Sequence, residues 1–124
     1  TKTYAIGGYE FTFSPSSGNK FSWYTDGYVL WGKTGAYILF PAVEGKALTR
    51  VTILTGKNAS TSVKVGVYDE AGTTAATGGE AITLNAKNTE FSYNLTGTAA
   101  GAKYQLRVMN DKNAQFQKLT LVYE

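Results

Sequence analysis

The sequence predicts an all-β protein folded as an antiparallel β-sandwich, and three observations predict it. Apolar and polar residues alternate with period two through most of the chain, the pattern of strands with one face buried and one in water. Gly is frequent (14) and Pro scarce (2), and the glycines fall in turn signals between the alternating runs. Tyr alone supplies 9 residues beside 6 Phe and 2 Trp, and aromatic side chains suit pleated, half-buried surfaces. No window carries a helical stripe, and the Ala-containing stretch 73–77 runs into Gly78-Gly79 and reads as loop.

Strand by strand, the first candidates are 9–13, 21–24, 28–31, 36–40 and 48–55. The run 36–40 is apolar on both faces and reads as a strand covered on both sides. Val63, Val65 and Val67 then oppose Ser62, Lys64, Gly66 and Tyr68. A weaker candidate lies at 80–84. Phe91, Tyr93 and Leu95 oppose Glu90, Ser92 and Asn94, and Tyr104, Leu106 and Val108 oppose Lys103, Gln105 and Arg107. The last run sets Leu119, Leu121 and Tyr123 against Lys118 and Thr120. Turn signals separate these runs at Asp26-Gly27, Glu44-Gly45-Lys46, Gly56-Lys57-Asn58, Glu70-Ala71-Gly72, Gly78-Gly79 and Asn110-Asp111-Lys112-Asn113. The spacing suggests about eight to eleven strands in a sandwich or barrel.

Length and composition bound the rest. A chain of 124 residues fits one domain, 1–124, and at 43% hydrophobic and 17% charged it can bury a core without disulfides. With no Cys and no His, thiol nucleophiles, imidazole bases and the usual zinc sites are excluded. The net charge of +3 comes from basic residues scattered along the whole chain, so no stripe points to nucleic acid. No apolar run approaches the ~20 residues of a membrane span, and no signal-peptide pattern opens the sequence. The ends at Thr1 and Glu124 read as those of a module cut from a longer protein, monomeric and attached to other domains.

From 35 onward the sequence resembles the galactose-binding-like, jelly-roll β-sandwich modules of secreted and cell-surface proteins from Bacteroidetes-type gut bacteria. The resemblance is carried by Tyr37-Ile38-Leu39-Phe40-Pro41, by Gly45-Lys46-Ala47-Leu48 leading into Val51-Thr52-Ile53, and by Val65-Gly66-Val67-Tyr68-Asp69. It continues through the run 101–108 and closes on 113–124. Its motifs are strand and turn chemistry and include no catalytic signature. What it implies is an exported module, secreted or at the cell surface, that binds a glycan.

The aromatic residues supply a candidate site. The first 40 residues hold 11 of them, both tryptophans included. A sugar ring offers a face of C–H groups that stacks on flat aromatic side chains, while neighbouring polar groups bond its hydroxyls. Thr25-Asp26-Gly27 reads as a three-residue hairpin loop with Gly in the left-handed position. That register sets Tyr24 opposite Tyr28, Trp23 opposite Val29 and Phe21 opposite Trp31. Phe21, Trp23, Val29 and Trp31 then share one face, and the simplest sandwich buries it and leaves the tyrosine pair toward solvent. Trp23, Tyr24, Asp26, Tyr28 and Trp31 are therefore the candidate carbohydrate-binding residues. The competing reading is a structural spacer or protein-interaction module whose aromatics merely fill the core. Exposed coplanar rings beside a groove separate the first reading from the second.

Catalysis and cofactors find little support. Glycosidase chemistry needs two facing carboxyl groups, and no spacing among the 9 acidic residues points to a pair. For calcium, Asp69-Glu70 and a possible meeting of Glu10 with Glu124 are the only candidates, and solvated carboxylates explain both. No cofactor is expected. A chelator should accordingly leave the melting temperature unchanged; a fall of many degrees, restored by added calcium, would expose a missed site.

Overall fold

The computed structural model describes residues 1–16, 21–25 and 27–124. The chain forms β1 (Lys2–Ile6), β2 (Tyr9–Ser14), β3 (Ser22–Tyr24), β4 (Tyr28–Gly32), β5 (Tyr37–Leu39), β6 (Leu48–Thr55), β7 (Lys64–Asp69), β8 (Ile82–Thr83), β9 (Glu90–Asn94), β10 (Tyr104–Val108) and β11 (Asn113–Tyr123). These make two antiparallel sheets, β1-β2-β5-β10-β7-β8 and β3-β4-β11-β6-β9. The architecture is an all-β sandwich, and no helix among the described residues is long and apolar enough to cross a membrane.

Alternation decides which side of each strand meets the other sheet. At the centre of the first sheet Leu106 pairs with Ile38 on one side and Val67 on the other, and all three are fully buried. Across the core, Val51 and Ile53 of β6 pair with Leu121 and Leu119 of β11. The run 36–40 has one fully buried face, Ala36, Ile38 and Phe40, while Tyr37 and Leu39 are half-buried on the other. That outer face is partly roofed by the turn after β7. Gln105 is buried there, donating to the Glu70 carbonyl at 2.9 Å and accepting from Arg107 at 3.0 Å.

Two features lie outside the sequence reading. Strand β1 was not anticipated, yet its hairpin with β2 closes through Gly7-Gly8, both at positive φ, between Ile6 and Tyr9. Strand β11 also starts earlier than expected, at Asn113. Its inward residues are Ala114 and Phe116 at first and Leu119 and Leu121 later, a change of phase that plain alternation forbids. A β-bulge between Phe116 and Lys118 absorbs the shift. Gln117 sits at that irregularity, with its amide donating to the Thr55 carbonyl at 3.0 Å and to Asn88 at 2.6 Å.

Two tyrosine hydroxyls tie the layers together. Tyr93 of β9 crosses the core to donate to the Val65 carbonyl on β7. Tyr123 of β11 donates to the Pro41 carbonyl at 2.6 Å. Burial raises the pKa of both phenols, with Tyr68 adding to the effect at Tyr93 and Tyr9 at Tyr123, which is pushed up to about 12. A phenol whose folded pKa exceeds its unfolded value near 10 contributes stability that is complete below that value. The contribution is lost as the pH climbs through the raised pKa. Stability should therefore fall between about pH 10 and pH 12, and Tyr123→Phe should flatten part of that slope in a thermal-melt series.

Candidate functional site

The β3–β4 hairpin forms in the register that its turn dictates. Gly27 adopts φ +85° and donates its N–H to the Tyr24 carbonyl at 2.9 Å. Tyr24 then faces Tyr28, and Trp23 faces Val29. Asp26, the expected hydroxyl partner at the turn, lies outside the described residues. Phe21 precedes β3, so its pairing with Trp31 is not formed as a ladder pair. The two tyrosine rings stack with centroids 4.5 Å apart and planes 14° from parallel, and Tyr24 is 42% exposed.

The tryptophans part company. Trp31, on the central side of the hairpin, is 1% exposed and packs edge-to-face on Phe116 at 6.1 Å. It is a core residue, which corrects its assignment to the binding set. Its indole N–H finds no hydrogen-bond partner among the described residues. Trp23 points to the same side of the sheet and yet is 54% exposed. The reason is position: β3 is an edge strand, and among the described residues only the β1–β2 hairpin stands across from it. Trp23 leans edge-on against Phe13 at 5.3 Å and Tyr4 at 6.0 Å, and the rest of its surface meets solvent. A face that is core at β4 becomes a rim at β3.

Beside this rim the sandwich opens into a cleft. Strand β4 pairs with β11 only from Gly32↔Asn113 to Val29↔Phe116, whereas β11 continues to Tyr123. Beyond the hairpin tip, that edge of β11 has no strand neighbour among the described residues. The cleft follows it as two adjoining hollows of about 380 and 360 Å³, within the usual size of ligand pockets. Ile6, Phe11 and Leu119 belong to both. Trp23, Tyr24 and Tyr28 line the first; Tyr9, Tyr123, Pro41 and Lys46 line the second.

The structure thus gathers Trp23, Tyr24 and Tyr28 and leaves Trp31 inside. It adds the second hollow, with Tyr9 and Tyr123, which sequence reasoning did not single out. The signal that could have found it is the phase change along 114–121, which marks a bulge where two strands part. Among the described residues, no Asp or Glu lines either hollow.

Asp69 is engaged away from the cleft. The Asp69 carboxylate accepts from the Thr73 N–H at 2.8 Å and the Thr74 N–H at 3.3 Å, and these bonds, the Thr73 N–H foremost, hold its pKa below the ordinary value. Glu10 stands on β2, and Glu124 follows β11 in the other sheet. Among the described residues, no three groups of the His, Cys, Asp or Glu type converge as metal ligands.

By sequence the chain matches no protein-family model and no curated protein. By shape it is similar to the solved structure of a low affinity xylan binding module, CBM86, from the xylanolytic gut symbiont Roseburia intestinalis. The two align with a TM-score of 0.52 over 92% of this chain and 94% of that one, at 13% identity. That likeness is one of fold.

The contrast between the tryptophans is testable by denaturation. Trp31→Ala should cost about 3–5 kcal/mol of stability, the range for a large core aromatic. Trp31→Phe should cost much less, because the indole N–H it deletes has no partner.

Proposed function

We propose that this domain is a non-catalytic carbohydrate-binding module that holds a polysaccharide by aromatic stacking, with xylan as the first candidate. One observation carries the reading: an exposed tryptophan and a stacked tyrosine pair line the same end of a cleft. Burying such rings against a sugar's C–H face removes apolar surface from water on both partners. The likeness to a xylan binding module supports the choice of ligand.

The same reading makes the domain one monomeric module of a secreted or cell-surface protein, and it keeps the galactose-binding-like, jelly-roll resemblance. Affinity should be modest and depend on a handful of rings.

The test is retention on immobilised polysaccharides together with thermal melting. Trp23→Ala should remove on the order of 1–3 kcal/mol of affinity, the scale of a binding hot spot, and leave the melting temperature nearly intact. Tyr24→Ala and Tyr28→Ala should act in the same direction. Retention of no glycan by the wild-type domain would overturn the reading, as would undiminished xylan binding by all three variants.

A further inference from the structure

We propose that the polysaccharide lies lengthwise along the open edge of β11, spanning both hollows from Trp23 at one end to Tyr9 and Tyr123 at the other. This rests on the glycan reading and adds how the chain is held. Three observations lead to it.

The first is extent. Along β11 the lining runs through Gln117, Lys118 and Leu119 to Leu121 and Tyr123, and the two hollows share Ile6, Phe11 and Leu119 rather than being walled apart. Six steps of strand at roughly 3.3 Å each make about 20 Å. One sugar ring fills only part of that length, whereas several linked rings fill it.

The second is chemistry at both ends. Tyr9 is 49% exposed at the far end, comparable with Trp23 at the near end. The Tyr123 ring beside it is held in place through its hydroxyl on the Pro41 carbonyl. A ligand confined to the Trp23 end leaves this second aromatic surface unused.

The third is the main chain. An antiparallel strand turns the N–H and C=O of alternate residues to each edge, and from Leu119 to Tyr123 one edge of β11 has no strand partner among the described residues. Such groups need partners whenever water is displaced from them. Sugar hydroxyls both donate and accept, so they can meet each of these groups. An extended peptide could use the same edge by strand addition, but the aromatic surfaces at both ends favour a chain of flat rings.

The experiment titrates xylo-oligosaccharides from disaccharide to hexasaccharide into the wild type, Trp23→Ala and Tyr9→Ala, each checked for an unchanged melt. Hydrogen exchange of the amides in 119–123 is followed in parallel. Affinity should rise about tenfold or more with chain length, a difference of about 1.4 kcal/mol. Tyr9→Ala should cancel that rise and spare the disaccharide, whereas Trp23→Ala should weaken every length. The hexasaccharide, and not the disaccharide, should slow exchange at alternate amides of 119–123. Equal affinity at all lengths, an unaffected hexasaccharide in Tyr9→Ala, or unchanged exchange would overturn the lengthwise placement while sugar binding at Trp23 stands. Binding of no oligosaccharide by the wild type, with or without capture of extended peptides, would overturn both.

Discussion

Strand β11 runs for eleven residues between neighbours of unequal length, and most of what is distinctive here follows from that mismatch. On one side β6 pairs with it from Phe116 to its last residue, Tyr123, which sets Leu119 and Leu121 against the core. On the other side β4 leaves after Phe116. A sheet must satisfy its backbone groups, and a strand that outlasts its neighbour leaves some of them waiting. The bulge at the parting point keeps apolar residues facing inward on both stretches, so one strand serves a sealed core first and an open cleft afterwards.

The same competition between sealing and opening sorts the aromatics. Trp23 and Trp31 lie on one face of one hairpin and differ in how much protein stands across from them. Where two sheets overlap fully, a large ring is buried and packed edge-to-face, as Trp31 is on Phe116. At the rim, where β1 and β2 stand opposite, an identical side chain keeps more than half of its surface. Residue type and facing direction fix neither outcome. Lateral position within the sheet does.

That explains what could be read from the sequence. Alternation, apolar runs and turn signals located ten of the eleven strands among the described residues, and the Thr25-Asp26-Gly27 loop set the hairpin register, because these are local rules acting over a few residues. Strand β1 was missed although Gly7-Gly8 is itself a hairpin signal, since the short run before it alternates only weakly. The depth of Trp31 and the exposure of Trp23 could not be read, because they depend on strand order, which is a pairing over long sequence separation. The second hollow was hidden for the same cause: Tyr9 and Tyr123 stand 114 positions apart in the chain and meet only through the packing of the two sheets.

The outer wall of the cleft is a hairpin at the end of its sheet, and it is fastened to the body by three β2–β5 pairs, Thr12↔Leu39, Phe13↔Ile38 and Ser14↔Tyr37. Among the described residues, strand β1 has no neighbour in the sheet but β2. The molecule therefore has one fixed jaw, β11 buttressed by β6, and one jaw cantilevered from a short root. Local unfolding follows such seams, since an element held by few pairs opens at a lower free energy than the core does. Grip and anchorage are in this way one thermodynamic quantity. Whatever closes on a ligand in the cleft also braces the hairpin, and whatever loosens Phe13 from Ile38 slackens the grip without touching the ligand.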